Sequence, residues 1–386
     1  RIPSALDFTG LNLSIEIELN ILTNFNLSIE HAKNYRAQYN QHYLDAIKDL
    51  KLDFDEPLRF YIMASTSTQV MQYVAKNIAH TLTNRGYEVF FDLRNGAEDQ
   101  GCFQRILQFK PHVSISINHF NNRYLNDDCF NFVWFQDPMP IFYKDGEVFL
   151  RERDFVYSLL EEFDGPMIKK GVVPARQSFC VNTRDFKIHE NIERKKKIVF
   201  VGSSYGNSVP QGKNIFDAIE YITLAFNNGE NLNRAFIEVV ADKFTLNEAY
   251  LLNALLQFVV RDTSVLWLCS HASEYEIEIY GHGWDVYESV RPFYKGALNY
   301  GDDIAEVYNG ATYCFAPHQA YALQQRVLES AACGCIPIVY DCFDNKDDRE
   351  YEEALEYFKT PQDLKDILFN DDIVSKDFTK LLDENS

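Results

Sequence analysis

The hydrophobic pattern of the chain changes period several times, and each change marks a predicted element. After Ser28, apolar and aromatic residues recur at helical spacing through IEHAKNYRAQYNQHYLDAIKDL, and this pattern ends between Asp53 and Pro57. From Leu58 onward, short apolar runs that are typical of buried strands alternate with amphipathic stretches of helical period. Residues 1–57 are therefore predicted to form a helical extension that precedes α/β structure.

Two α/β stretches follow each other along the chain. The first contains the apolar runs LRFYIMAS, YEVFFDL, PHVSISIN and NFVWFQDP, and the second contains KIVFVGSSYG, YEIEIYG, ATYCFAP and CIPIVYD. Strands that alternate with helices pair in parallel with right-handed crossovers, so each stretch is expected to form a doubly wound, Rossmann-like domain. The segment SFCVNTRDF is predicted to be a short strand, and the polar segment IHENIERKKK a hinge. The domains are thus placed at 58–190 and 191–365. Helical patterns in YEEALEYF and TPQDLKDILF lead into a C-terminal helical tail, which is placed at 366–386.

Composition and charge narrow the classes of function. Of 386 residues, 37 are basic and 57 are acidic, which gives a formal net charge of −20. The chain therefore has no surplus of cations with which to bind nucleic acid or an anionic membrane. No apolar run approaches the ~18 residues of a membrane span, and no secretory signal pattern is present. The eight cysteines show neither a CxxC spacing nor a histidine at zinc spacing, which favours reduced thiols and a cytoplasmic location.

The segment from Gln324 to Asp341 carries the clearest candidate chemistry. Its helical pattern places Arg326 and Glu329 three residues apart, on one face of a helix that follows the strand ATYCFAP. A guanidinium can pair with a diphosphate, and a carboxylate can accept hydrogen bonds from the two hydroxyl groups of a ribose. Backbone N–H groups at the start of the helix, near Tyr321, can bind the same phosphates. The alternative interpretation is an exposed salt bridge on an amphipathic helix.

Glycine turns after two other strands indicate the same ligand-binding edge, because ligands of doubly wound sheets lie beyond the carboxyl ends of the strands. Gly202 and Ser203 follow the strand KIVFV, where the missing side chain lets a diphosphate approach the backbone. Gly281 and His282 follow YEIEIY, and His282 is a candidate hydrogen-bond partner of a phosphate or a base. For both pairs, an ordinary tight turn is the alternative interpretation.

Two polar residues at strand ends in the first domain are candidates for proton transfer. His119 follows SISIN, and Asp137 follows VWFQ. A histidine titrates near neutral pH, and an aspartate becomes a better base when burial raises its pKa, so either is able to take a proton from an acceptor hydroxyl group. A strand-capping histidine and an Asp-Pro turn are the structural alternatives.

Three segments, in the order YGHGW, FYKGALNYGDDIAEVYNGA and QQRVLESAACGCIPIVYD, resemble the carboxyl-terminal domain of group 1 glycosyltransferases, and most of all the CgeB-type (spore maturation protein-like) branch. VWFQDPMP and IVFVGSSYGN extend the resemblance over residues 58–365. The resemblance implies a GT-B architecture, in which two Rossmann-like domains face each other and the second binds a nucleotide sugar. Arg326 and Glu329 match the family pattern of Arg, two residues, Glu and Ala-Cys-Gly. Lys295 and Gly296 match a segment whose backbone faces the nucleobase.

The same resemblance implies a hexosyltransferase-like enzyme that moves a sugar from a nucleotide-diphosphate sugar to a glycan or protein acceptor. It implies no metal ion and no cofactor beyond this co-substrate, with Arg326 and helix amides stabilising the leaving diphosphate. The Glu-x7-Glu pair of related enzymes is incomplete, because Tyr321 stands at the place of the first carboxylate. Two alternatives stay open: a nucleotide-sugar epimerase of the same fold, and a non-catalytic domain that binds a nucleotide sugar or a partner. Because the sequence begins with Arg1 rather than Met, further domains of a longer polypeptide are also expected.

Overall fold

The chain forms two compact units, Arg1–Ser178 and Phe179–Ser386. The structure is a computed structural model, and it describes residues 15–66, 68–94, 101–137, 139–161, 164–206, 209, 212–271, 275–342, 351, 353–370 and 376–384. Residues 1–14 of the predicted helical extension, Pro138 of the VWFQDPMP segment, and residues 371–375, 385 and 386 of the predicted tail lie outside the described residues.

The first unit is built on a six-stranded parallel sheet. Its strands are β1 (Arg59–Ser65), β2 (Glu88–Arg94), β3 (Val113–Ile117), β4 (Phe130–Phe135), β5 (Asp154–Ser158) and β6 (Ala175–Arg176), in the order β2-β1-β3-β4-β5-β6. Its helices are α1 (Ile15–Lys48), α2 (Gln69–Asn84), α3 (Gly101–Phe109) and α4 (Asp164–Ile168). Alternate residues of β1 enter different cores: Tyr61 packs with residues of α1 and α3, and Ile62 packs with residues of α2. This alternation is the period of two expected for a strand that is covered on both faces.

The second unit contains another six-stranded parallel sheet. Its strands are β7 (Lys195–Val201), β8 (Glu276–Tyr280), β9 (Tyr294–Gly296), β10 (Ala311–Ala316), β11 (Ile336–Tyr340) and β12 (Glu356–Phe358), in the order β12-β11-β10-β7-β8-β9. Its helices are α5 (Lys213–Asn227), α6 (Arg234–Phe244), α7 (Glu248–Tyr250), α8 (Leu256–Ser270), α9 (Asp302–Asn309), α10 (Gln325–Ala332), α11 (Pro361–Leu368) and α12 (Thr379–Asp383), and a π-helical segment, Leu251–Leu255, joins α7 to α8. Phe200 and Phe315 pack into the core on one face, and Val199 and Cys314 pack into the core on the other.

The order of strands in the second sheet locates its ligand-binding edge. From β7 the chain continues to β8 and β9 on one side of the sheet, and it later places β10, β11 and β12 on the other side. The neighbouring strands β7 and β10 therefore have connections that lead in opposite directions. In doubly wound sheets, ligands bind outside the carboxyl ends of the strands at such a switch point.

The predicted fold class, two doubly wound α/β domains with an N-terminal helix, is confirmed. The units divide earlier than residue 190, because Val181 and Phe186 pack into the core of the second unit beside Tyr308. No helix in the described part of the chain is long and apolar enough to cross a membrane.

Two local predictions are wrong. SFCVNTRDF is not a strand, because the side chain of Asn182 closes a turn: its Oδ1 accepts from the Arg184 N–H at 3.2 Å, and its Nδ2 donates to Asp185 at 2.8 Å. The described residues of YEEALEYF (351 and 353–358) do not form a helix, because Glu356–Phe358 pairs in parallel with β11. The TPQDLKDILF helix is present as α11, which begins with a capping box at Thr360.

Candidate functional site

The two glycine turns that follow β7 and β8 lie against each other. Gly281 has φ +129°, and a Cβ atom at this position would overlap the carbonyl group of Gly202, so only glycine fits. The Gly281 N–H donates to the Gly296 carbonyl at 2.8 Å. The His282 N–H donates to Ser203 Oγ at 3.2 Å. The structure thus brings five of the predicted donor-side residues together at one edge of the sheet.

Arg326, on α10, packs against the turn after β7. A Cβ atom at Gly202 would lie 2.7 Å from Arg326 Nη1, so the glycine leaves room for the guanidinium. The guanidinium carbon lies 5.7 Å from the centre of the Phe200 ring. Nη1 is buried and has no hydrogen-bond partner among the described residues. Because a buried N–H of a cation is costly to leave unpaired, this atom indicates a place for an anionic ligand.

A second guanidinium, which the sequence analysis did not identify, reaches the same turn from α8. Arg261 Nη1 donates to the Ser203 carbonyl at 3.2 Å, and the guanidinium lies 4.0 Å from the centre of the Tyr205 ring. Its Nε is buried and lacks a partner within the described structure. Burial, and then the positive charge of Arg326, lower the pKa of Arg261 to about 10. The two cations are therefore close enough to repel each other.

Asp262, the next residue on α8, holds the loop that follows the turn. Its buried carboxylate accepts hydrogen bonds from Ser204 Oγ at 2.5 Å, from the Tyr205 N–H at 3.2 Å and from the Tyr287 hydroxyl at 2.7 Å. Burial raises the pKa of Asp262, although these three hydrogen bonds oppose the rise. Asp262 therefore holds the loop in place, and its carboxylate is engaged in these hydrogen bonds rather than in an ion pair with Arg261.

Glu329 is buried, with 4% of its surface exposed. Its Oε1 accepts hydrogen bonds from the Tyr300 hydroxyl at 2.7 Å and from Gln325 Nε2 at 2.8 Å. Burial raises the pKa of Glu329 to about 7, although these hydrogen bonds and the charge of Arg326 oppose the rise. An exposed salt bridge between Arg326 and Glu329 is therefore not what the structure shows.

The amino end of α10 contributes unpaired backbone donors. The side chain of its N-cap residue, Gln324, makes no capping hydrogen bond. The N–H groups of Gln325 and Arg326 have no backbone acceptor among the described residues. With the positive end of the helix dipole, such groups form an anion-binding position.

His318 is a further residue that the sequence analysis missed, and it follows β10 directly after Pro317. Its Nδ1 accepts a hydrogen bond from the Ala320 N–H at 3.3 Å, which assigns the ring proton to Nε2. Burial, together with the charges of Arg261 and Arg326, lowers the pKa of His318 to about 3. The imidazole is thus neutral at physiological pH, with an Nε2–H group that can donate a hydrogen bond.

Two further predicted donor-side residues, Lys295 and Tyr321, are more exposed than Glu329. Lys295 is exposed on β9, and Tyr321 is half-buried in the loop between β10 and α10. Trp284 is a core residue, and its Nε1 donates to the Gly202 carbonyl at 2.7 Å. Among the described residues, no group of three or more His, Cys, Asp and Glu side chains is arranged to hold a metal ion.

In the first unit, Asn118 connects the ends of β3 and β4 and positions Asp137. It adopts φ +58°, and its Oδ1 accepts from the N–H groups of Gln136 at 2.7 Å and Asp137 at 3.2 Å. Its Nδ2 donates to Asp137 Oδ2 at 2.7 Å. Desolvation by the surrounding protein raises the pKa of Asp137, although its side chain is in part exposed. The hydrogen bond from Asn118 opposes this rise.

The charge of a buried ionic cluster acts on His119. The His119 carbonyl accepts a 2.6 Å hydrogen bond from Ser116 Oγ. Within the cluster, Arg94 Nη1 donates to Asn121 Oδ1 at 3.4 Å, and Arg94 pairs with Asp92 at 3.1 Å. Burial, and then the charge of Arg94, lower the pKa of His119. The imidazole is therefore neutral near pH 7 and able to accept a proton.

The match to a family model lies within the second unit. Residues 261–383 match the family model described as glycosyl transferase-like. The matched segment contains Arg261, His318, Arg326 and Glu329. No curated protein matches the sequence.

Several solved structures are similar at low sequence identity. AviGT4, a glycosyltransferase involved in avilamycin A biosynthesis, is 12% identical with a TM-score of 0.46 over 81% of this chain and 89% of that chain. HepE from Anabaena in complex with UDP-glucose is 7% identical with a TM-score of 0.45, over 81% of this chain and 88% of that chain. Sucrose-phosphate synthase from Thermosynechococcus elongatus is 9% identical with a TM-score of 0.44, again over 81% and 88%.

Proposed function

We propose that the protein is a glycosyltransferase that uses a nucleoside-diphosphate sugar as its donor. The observation that carries the proposal is the guanidinium of Arg326, which lies over Gly202 at the carboxyl edge of a parallel sheet with a buried, unpaired N–H group. The match of residues 261–383 to a glycosyltransferase-like family model supports the proposal, because that segment contains Arg326 and Glu329.

Each part of the donor has a proposed partner in the second unit. The diphosphate would lie against Arg326, the N–H groups that begin α10, and the Gly202–Ser203 turn. Glu329 would accept the ribose hydroxyl groups through Oε2, since Tyr300 and Gln325 occupy Oε1. His282, Lys295, Gly296 and Tyr321 are the proposed contacts with the base and the sugar.

The proposed reaction breaks the bond between the anomeric carbon and the diphosphate oxygen, whose electron pair stays on the diphosphate. The oxygen of an acceptor hydroxyl group forms the new bond to the anomeric carbon, and its proton passes to His119 or Asp137. Arg326 and the helix amides would neutralise the charge that develops on the diphosphate, so we propose that no metal ion is needed. Turnover that persists in EDTA would support this step, and turnover that is lost in EDTA and restored by a divalent cation would oppose it.

We propose a glycan or protein as the acceptor and a cytoplasmic location. All eight cysteines, each of them a described residue, are free thiols. Free thiols persist most readily in a reducing compartment, which supports the proposed location.

The proposed function is tested by release of nucleoside diphosphate from a panel of UDP-, GDP-, ADP- and dTDP-sugars, with and without candidate acceptors. We expect one donor to be hydrolysed or transferred by the wild type and neither product to form with Arg326→Ala. Nucleotide binding without turnover in every combination would favour the non-catalytic binding domain. The presence of Tyr321 at the place of the first carboxylate of the Glu-x7-Glu pair is the sequence feature that favours this alternative. An epimerised sugar nucleotide formed without acceptor would favour the epimerase.

A further inference from the structure

Two guanidinium groups from different helices converge on one two-residue turn. Arg326, on α10, packs where a side chain of Gly202 would otherwise lie. Arg261, on α8, donates to the carbonyl of the next residue, Ser203. The turn after β7 is therefore contacted by two cations that are far apart in sequence.

The positive charge of this pair is not balanced within the described part of the chain. Neither arginine forms an ion pair with a described carboxylate, and each retains a buried nitrogen without a hydrogen-bond partner. The acidic residues beside the arginines on the same helices are engaged elsewhere: Asp262 accepts from Ser204, Tyr205 and Tyr287, and Glu329 accepts from Tyr300 and Gln325. One buried and one half-buried guanidinium without a balancing carboxylate favour an anionic partner at this turn.

A purely structural arginine looks different in this same protein. Arg151 is also buried, but its guanidinium donates to Asp154 at 2.8 Å, to the Cys129 carbonyl at 3.1 Å and to the Asn126 carbonyl at 2.5 Å. All three nitrogens of Arg151 are therefore used, whereas Nε of Arg261 has no partner. The fold thus provides a hydrogen-bond acceptor for every guanidinium nitrogen of Arg151 but not for Nε of Arg261.

We propose that Arg261 is a second diphosphate-binding residue, which acts with Arg326 and makes the site select nucleoside diphosphates over nucleosides. This inference rests on the proposed function, and it adds a residue that the family resemblance does not assign. A diphosphate offers two charged groups to two guanidiniums, and each guanidinium can form bidentate hydrogen bonds with phosphate oxygens.

The test compares nucleoside diphosphates with the matching nucleosides by isothermal titration calorimetry, using ADP, GDP, UDP and dTDP as probes. We expect Arg261→Gln to weaken binding of the preferred diphosphate by about 10- to 100-fold, as for loss of a charged hydrogen bond. Binding of its nucleoside should change by less than about 3-fold, because the proposed ligand contact of Arg261 is with phosphate alone. Arg261→Lys, which keeps the charge but loses the planar fork, should show a smaller loss.

Arg151→Gln is the matched control, since it also removes a buried guanidinium. It should lower the melting temperature but leave the ratio of diphosphate to nucleoside affinity unchanged. If Arg261→Gln does not fold, the same ratio of diphosphate to nucleoside affinity is measured with Arg261→Lys. Unchanged diphosphate affinity in the folded Arg261 variants, with loss of affinity in Arg326→Gln, would overturn the inference and leave the proposed function standing. Failure of the wild type to bind any of the four diphosphates would overturn both.

Discussion

The hydroxyl group of Tyr300 donates a 2.7 Å hydrogen bond to Oε1 of Glu329 and thereby holds this carboxylate away from an ion pair with Arg326. Gln325 donates to the same oxygen at 2.8 Å. The charge of Arg326 therefore stays available to a ligand, although an acid lies one helical turn away. The same contacts keep Glu329 buried, so that its protonation affects the stability of the fold.

Glu329 should make the stability of the protein depend on pH. Its pKa in the folded protein is about 7, above the ordinary value of 4.5, so the folded state binds the proton more tightly than the unfolded state does. The contribution of Glu329 to the free energy of unfolding is fully present below the ordinary pKa of 4.5 and is lost as the pH rises through 7. We expect the free energy of unfolding of the wild type to fall by about 3 kcal/mol relative to Glu329→Gln across that window. Urea denaturation at several pH values measures this difference, and parallel curves for the two proteins would refute it.

Arg326→Ala should weaken nucleotide binding without a matching loss of stability. We expect the affinity for a nucleoside diphosphate to fall by about 10- to 100-fold, because a buried charged hydrogen-bond donor is lost. Stability should not fall in parallel, since the folded chain leaves Nη1 unpaired. Calorimetric titration and thermal unfolding measure the two effects, with Arg234→Ala as control, because Arg234 lies on the surface and pairs with Glu238.

The two glycine turns should respond differently to added methyl groups. Gly202→Ala should displace the Arg326 guanidinium and weaken nucleotide binding, because the closest contact of the added methyl group, at 2.7 Å, is with the end of this side chain. The loss of stability should be smaller than for Gly281→Ala, since the other tight contact, with Phe200 Cζ, is at 3.2 Å and no backbone atom is among the nearest contacts. Gly281→Ala should destabilise the fold by about 1–3 kcal/mol or more, because φ is positive and the clash is with backbone. Gly165→Ala, which meets nothing within 4 Å, is the control and should be nearly neutral. Equal effects of the first two variants on stability would contradict this division.

Asn118→Gly should impair turnover without affecting nucleotide binding. Glycine keeps the positive φ of this position but removes the hydrogen bond from Asn118 to Asp137. In the wild type this hydrogen bond lowers the pKa of the Asp137 carboxyl group. The pKa of Asp137 should therefore rise in the variant, and the acidic limb of the pH–rate profile should move to higher pH. Lys110→Gly is the matched control, because Lys110 also has a positive φ, of 51°, on an exposed position. A lower kcat with an unmoved pH profile would show that Asn118 acts only on structure.

Much of the fold is accessible from the sequence because parallel strands and their helices leave local periodic patterns. The strands β5 and β6 were missed, since β6 has only two residues and β5 lies in a stretch without clear alternation. SFCVNTRDF was misread because the side chain of Asn182 closes a turn that apolar patterning does not report.

The site was predicted where its residues lie close together in sequence, as for Arg326 and Glu329. Arg261 was missed because its contact with Ser203 spans 58 positions, and such contacts leave no local pattern. A signal was nevertheless present: Arg261 and Asp262 form a charged pair inside the apolar run LLQFVVRDTSVLWL, where charge is costly unless it has a function. Tyr300 and His318 carry no comparable signal, because their importance depends on the burial of their neighbours.

The central claim is that a nucleoside diphosphate binds between α10 and the turn after β7. The most direct measurement is a crystal structure of the protein with the diphosphate that binds best among ADP, GDP, UDP and dTDP. We predict phosphate oxygens at about 3 Å from the guanidinium of Arg326 and from the N–H groups that begin α10. A nucleotide bound elsewhere, with the Arg326 guanidinium still unpaired, would contradict the claim.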